Sequence, residues 1–390
     1  MRKIAANLIF DGFRFRRNAV LTCNGDGTIV GVDDLNRSET PSLEYYSGLI
    51  TPGFFNMHQH LELAWMHRKI QPNGMLSGFI RDFSLLRQTP PDEMHLLQAM
   101  KTLDAIMYKQ GVSVVVDIAN TVSSLPVKVE SRIKYFTMIE LFDKMGPDAD
   151  TVFSNGTAMV QHFIVNGLNA TLTPHAFYSV SEQMLKMIEE EHAPLRSIHF
   201  LESPDELEML VNQRGFLYDL LSKTWDASDL EPRNISNVMR FIQTMFQQCN
   251  VLLVHNTSLP ADVLRNLQSQ NQENLFFCLC PNSNNFITGC LPNPAMFVEN
   301  AAQICIGTDS PASNHSLSFI EELKTLQNNY ADISLNSLLR WCTSDAARAL
   351  GLEDEFGCFK PGSKPGIVLI TNVDTVQCRL TEASSTKRLL

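Results

Sequence analysis

Residues 51–63 read Thr51-Pro-Gly-Phe-Phe-Asn-Met-His-Gln-His60-Leu-Glu-Leu63. An apolar run, Leu49–Phe55, leads into a His-x-His pair. Side chains two apart on a strand point to the same side, so His58 and His60 can approach one ion from one direction. Alone, such a pair is a weak signal and reads more readily as two satisfied core or surface histidines. Its place at the end of a strand-like run gives it weight, because the arrangement recurs downstream.

Seven further apolar or β-branched runs follow: Val112–Val116, Tyr135–Glu140, Ala170–Thr173, Ser197–Phe200, Val251–Val254, Phe276–Leu279 and Ile304–Gly307. Helical patterns lie between several of them. Asp92–Lys109 has Pro90 and Pro91 before it and Gly111 after it, the usual punctuation of a helix. Ser181–Glu191, Pro204–Asp219 and Asn234–Gln248 are further helices. Eight strands alternating with helices predict an α/β fold, a (β/α)8 TIM-like barrel over 51–350. The two ends differ. Asn24-Gly25-Asp26-Gly27 is a turn before the strand-like Thr28–Val32, and the turn-rich Gly357–Gly362 precedes the short apolar run Ile367–Ile370. Residues 1–50 and 351–390 are therefore expected to join as one small β-sandwich domain.

Active residues of barrel enzymes sit at the C-terminal ends of the strands. The fourth run is followed by His175, the fifth carries His199, the sixth is followed by His255, and the eighth leads to Asp309. Several imidazoles with one carboxylate suit Zn²⁺ or Fe²⁺. The expected ligands are His58, His60, His199, His255 and Asp309. His67, His95, His162 and His192 lie away from strand ends and read as structural or exposed.

In several ordered pieces the chain resembles the amidohydrolase superfamily. Residues 51–63 look like its first-strand motif, and Thr173-Pro-His-Ala-Phe-Tyr-Ser-Val-Ser181 looks like a segment of its deaminase branch. Ile198-His-Phe-Leu-Glu202, Leu253-Val-His-Asn256, Cys280-Pro-Asn-Ser-Asn284 and Gly307-Thr-Asp-Ser310 complete the set. The pattern is most similar to the adenosylhomocysteine, aminofutalosine and guanine deaminases and the triazine chlorohydrolases. It departs at Phe177, where proline is usual, and at Phe200-Leu201, where Leu-Ala is usual; both positions are expected near the substrate.

The resemblance implies one divalent metal, zinc or alternatively iron(II), because no lysine stands where two-metal members carry a bridging one. It implies a metal-activated water attacking a C=N–NH2 carbon. Asp309 and His255 would take or orient the water proton, and Glu202 would protonate the ring nitrogen and help ammonia leave. His175 would bind substrate, with Glu62 and Trp65 lining the pocket. Other readings stay open: Glu202 as a helix cap, His175 as a buttress, Trp65 as plain core. The implied substrate is an amino-substituted heterocycle or nucleoside, of aminofutalosine or adenosine type. The alternatives are cleavage of a cyclic amide, amidine or C–Cl bond on the same fold, and a barrel kept as a non-catalytic scaffold.

Composition sets outer bounds. Lys and Arg total 31 against 42 Asp and Glu, a net charge of −11, which disfavours phosphate-rich partners, so no nucleic acid is expected. No apolar window reaches the roughly 18 residues of a membrane span, and the start is too polar for a secretory signal. Nine scattered cysteines suggest reduced core thiols and a cytoplasmic setting. The expected partner is a small-molecule substrate, with a homodimer as a further expectation from the family.

Overall fold

The computed structural model describes residues 1–35, 42–72, 74–143, 148–224, 234–246, 249–270 and 273–390. Its architecture is α/β with parallel sheets. Eight parallel strands carry the middle of the chain: β1 (Phe54–Gln59), β2 (Val112–Ala119), β3 (Lys134–Leu141), β4 (Asn169–Pro174), β5 (Leu195–Phe200), β6 (Asn250–His255), β7 (Leu275–Leu279) and β8 (Gln303–Ile306). They pair in chain order as two four-stranded sheets, β1–β4 and β5–β8. Parallel bridges join the sheets at both edges. Ala176 pairs with His199 beyond the end of β4, and Gln59 pairs with Asp309 beyond the end of β8.

These strands are apolar almost throughout because both faces are covered. Neighbouring residues sort into different core clusters. Phe54, Val115, Leu253 and Phe277 belong to one, and Phe55, Val116, Leu252 and Phe276 to the other. The second cluster draws from both sheets, so the two share a core.

Both chain ends build a separate mixed sheet. Its order is Ser385–Arg388, Ile367–Thr371, Leu43–Pro52, Arg2–Phe10, Ala19–Cys23 and Ile29–Asp34, with Phe15–Arg16 paired on Arg2–Phe10. Its own apolar cluster includes Ile4, Leu21, Ile50, Phe359 and Ile367.

One expected strand needs correction. The run Leu49–Phe55 is split between two sheets: Leu49 and Ile50 pair with Ile370 and Leu369, whereas Phe54 opens β1. Gly53 makes the junction, where a Cβ would lie 2.0 Å from Ser113 Oγ and 2.4 Å from the Pro365 carbonyl. Residues on both sides are fully buried, so hydropathy carries no sign of the change.

The helices follow their punctuation. Asp92 caps Glu93–Gln110 by accepting the His95 N–H at 2.9 Å, and Gly111 ends it at φ 101°. Ser181 caps Glu182–Glu190. The single helix expected over Pro204–Asp219 is two, Pro204–Asn212 and Phe216–Leu221. Gln213 at φ 53° and Gly215 at φ 96° stop the first and turn the chain into the second. The helix expected over Asn234–Gln248 spans Ile235–Phe246, and its expected last residues lie outside the described ones. Among the described residues no helix is long and apolar enough to cross a membrane.

Candidate metal and catalytic site

The C-terminal ends of β1, β5 and β6 and the turn after β8 converge. Ligand atoms of His58, His199, His255 and Asp309 all lie within 4.8 Å of one another, and all four residues are buried. His60, the fifth expected ligand, stands beside this group rather than within it. Its Nε2 is 3.2 Å from Asp309 Oδ1 and 3.2 Å from His58 Nε2.

Backbone pairing sets this convergence. The N–H groups of Thr308 and Asp309 donate to the His58 carbonyl at 3.1 and 2.9 Å, and the His199 N–H donates to the His175 carbonyl at 2.9 Å. Gly307 is required here, because a Cβ would sit 2.8 Å from His58 Cβ and 2.9 Å from Cys278 Sγ. Two of the expected ligands occupy the left-handed backbone region, His255 at φ 76° and Asp309 at φ 55°, as do their neighbours Asn256 and Leu201. Such conformations cost about 1–3 kcal/mol each and gather at functional sites.

Burial makes neutral imidazoles, the form a metal needs. It pushes His199 and His175 down to about 4 and lowers His58 and His255 as well. His60 differs: burial lowers it, but Asp309, together with Glu140 and Asp117, outweighs burial and raises it to about 9. Burial alone would raise the Asp309 carboxyl, yet His58 and His60 hold it well below the usual carboxylate range. Ser283 Oγ and Ser313 Oγ (the latter at 3.0 Å) both donate to Asp309 Oδ2, leaving Oδ1 toward the imidazoles.

The donor set fits a divalent cation. His255 Nε2 is buried with no hydrogen-bond partner. On the other side of that ring, the Asn284 side-chain amide is 3.1 Å from Nδ1, and the Asn284 Oδ1 is itself buried and unpartnered. Turning this amide over lets His255 Nδ1–H donate to Oδ1 and frees the Nε2 lone pair for a cation.

Glu202 follows β5, and its Oε1 is 3.7 Å from His255 Nε2. Burial pushes its carboxyl up to about 7. Its side chain does not cap the next helix: Ser203 does, accepting the Glu206 N–H, while Glu206 Oε2 accepts the Glu202 N–H at 2.9 Å. His175 is half-buried beside the cluster, with its ring 4.7 Å from that of His199 and its Nδ1 2.7 Å from Ser179 Oγ.

Glu62 and Trp65 are placed differently from the core of the cluster. Glu62 is committed to the loop after β2, accepting from the Asn120 N–H at 3.1 Å and from Thr121 Oγ1 at 2.8 Å. Trp65 packs against the main core and carries Lys69 Nζ 4.7 Å from its ring centre. The two departures from the family pattern touch each other. Phe177 and Phe200 pack edge to face at 6.2 Å and are 2% and 0% exposed, so each ring is part of the core.

Other residues join the site without having been expected. Glu140 ends β3, with Oε1 3.5 Å from His199 Nδ1, and it forms a second metal-type group with His175 and His199. It closed an expected strand, so the strand-end rule pointed to it. Asp117 Oδ1 accepts the Leu61 N–H at 2.7 Å, fixing the turn after His60, and Asp117 Oδ2 pairs with Lys128 Nζ at 2.6 Å. Both side chains are fully buried. Lys128 lies mid-helix, where no sequence signal marks it. Removing one partner of a buried pair costs about 3–5 kcal/mol. Lys128→Met is therefore expected to lower stability by about that amount, read by denaturant unfolding. A midpoint equal to wild type would show that Asp117 does not need the cation.

A protein-family model described as "Amidohydrolase family" matches residues 49–385. An adenosine deaminase of Helicobacter pylori is 26% identical over 317 residues, covering 80% of this chain and 76% of that relative. The crystal structure of Helicobacter pylori aminofutalosine deaminase with methylthio-coformycin superposes with a TM-score of 0.81 at 20% identity, covering all of both chains. An adenosine deaminase from Xanthomonas campestris with bound zinc superposes at 0.71 and 17% identity, covering 94% of this chain and 84% of that one.

Proposed function

This chain belongs to the amidohydrolase family, and from that premise we propose that it is a zinc-dependent deaminase of an amino-substituted heterocycle, an adenosine- or aminofutalosine-type nucleoside. The carrying observation is the buried group His58, His199, His255 and Asp309 beside Glu202, a carboxyl raised to about 7. Relatives named as deaminases of adenosine and of aminodeoxyfutalosine support the substrate class.

We read the eight parallel strands as one (β/α)8 barrel over residues 51–350, and the terminal sheet of 1–50 and 351–390 as its small β-sandwich domain. The edge bridges and the shared core support the barrel. Nine free thiols, most of them buried, support a reducing, cytoplasmic setting. The chemistry calls for a small-molecule partner.

His58, His60, His199, His255 and Asp309 would hold the metal. When bound, it supplies Lewis acidity and an activated water at neutral pH. The chain's own groups handle the protons. Asp309 would accept the proton of the attacking water, and His255 would orient that water. Glu202, near its own midpoint at neutral pH, delivers its proton to the ring nitrogen. Asp309 passes the water proton to the departing amine, and Glu202 helps ammonia leave by taking back the hydroxyl proton as the carbonyl forms. His175 donates to the substrate, and Glu62 and Trp65 shape the pocket wall.

Zinc-loaded protein incubated with adenosine-type nucleosides, guanine, cytosine and aminofutalosine is expected to release ammonia from one of them. Activity should vanish on chelation and return with added zinc. If zinc is bound and no ammonia appears from any compound, the deaminase reading fails and amide, amidine or chloride hydrolysis replaces it.

A further inference from the structure

Asp309 depends on two serines that lie on different loops. Ser283 follows β7, in the helix Pro281–Thr288, and Ser313 lies in the short turn after β8. Both hydroxyls donate to Asp309 Oδ2, and the two serine oxygens lie 2.8 Å apart. A carboxylate of fixed orientation is the result, provided that the two loops are held in register.

One buried side chain ties them together. Glu322, in the helix Ile320–Asn329, is 0% exposed. Its Oε2 accepts the backbone N–H of Asn282 at 2.9 Å, and its Oε1 accepts Asn314 Nδ2 at 2.7 Å. Asn282 immediately precedes Ser283, and Asn314 immediately follows Ser313. Asn314 Nδ2 also donates to the Thr308 carbonyl at 3.1 Å, next to Asp309 itself. The same helix adds Thr325 Oγ1, which donates to Asn282 Oδ1.

A buried carboxylate is costly without a cation, and apolar packing could fill the space. Two acceptor oxygens on one planar group are what joining two donor-bearing loops requires. We propose that Glu322 is a positioning residue that orients Asp309 for the metal, acting through Asn282–Ser283 on one side and Ser313–Asn314 on the other. This rests on the reading of Asp309 as a metal ligand.

Glu322→Gln keeps the shape but turns one acceptor into a donor facing a donor. Outer partners of metal ligands are worth about 10- to 100-fold in metal affinity or activity. The zinc dissociation rate, followed with a chromogenic chelator and no substrate, is expected to rise by about that factor. Asn314→Ala cuts one tether from its other end and should shift the rate in the same direction. The decisive measurement is coupling. In a Ser283→Ala/Ser313→Ala background, Glu322→Gln should add less than about threefold, because residues acting through one path are not additive. Full multiplication of the two effects, or unchanged zinc release in both Glu322→Gln and Asn314→Ala, overturns the proposal. Zinc release is read without turnover, so loss of this proposal leaves the deaminase reading standing. Absent ammonia with zinc retained would sink that reading alone.

Discussion

Asp309→Ala is expected to abolish turnover and to strip the protein of its metal during purification. Asp309 is the one carboxylate in the four-residue group, so its loss leaves imidazoles without a balancing negative charge. It also leaves His58 and His60 without their shared partner at 3.3 and 3.2 Å. The loss of affinity should exceed the about 10- to 100-fold that an outer partner is worth. Metal analysis of the purified variant, paired with ammonia release, checks both halves. Wild-type zinc content together with wild-type activity would remove Asp309 from the site.

Glu202→Gln is expected to separate chemistry from metal binding. The amide keeps the size of the carboxyl but cannot shuttle a proton. Turnover should fall by about 10²- to 10⁴-fold while zinc content stays at the wild-type level. The pH profile gives a sharper readout. Burial raises this carboxyl to about 7, so the proton-donating form is present below that value and is lost as pH rises through it. Wild-type activity should therefore decline on the alkaline side of about pH 7, and the residual activity of Glu202→Gln should lack that limb. Stability follows the same sign. A raised folded-state value means that ionisation costs more in the folded protein, so wild type loses stability as pH rises through about 7, and the glutamine variant, which keeps the raised Glu206 and Glu322 carboxyls, should lose less. Full activity in Glu202→Gln would end its role as the proton shuttle.

Much of this site is legible along the chain because strand ends are. His58, His199 and His255 each terminate or end next to an apolar run, and Asp309 stands just beyond one, so the strand-end rule finds all four. The rule fails where burial is continuous. Leu49–Phe55 reads as one strand although it crosses from the terminal sheet into β1, since every residue from Leu49 to Phe55 is buried on either side of Gly53. It also fails for groups that act at one remove. Lys128 sits within a helix and Glu322 within another, and neither helix pattern distinguishes an inward carboxylate or ammonium from an exposed one. Phe177 and Phe200 look like two independent departures from a motif, but in the folded chain their rings touch.

The sequence by itself determined the α/β class, the helices that start beside Asp92 and Ser181, and the placing of metal-type residues at strand ends. Those properties are local, set by hydropathy period, capping chemistry and residue type at the ends of runs. Tertiary structure alone decided that four of the five expected ligands form the tight group and that His60 stands beside it. It also decided that Glu140 joins His175 and His199, and that Glu322 and the Asp117–Lys128 pair brace the loops that carry the site. Those outcomes depend on which strand ends and helices meet in space. Side-chain electrostatics and hydrogen bonds act over a few ångströms, and separations such as the 252 residues between Asn56 and Thr308 are closed only by the folded backbone.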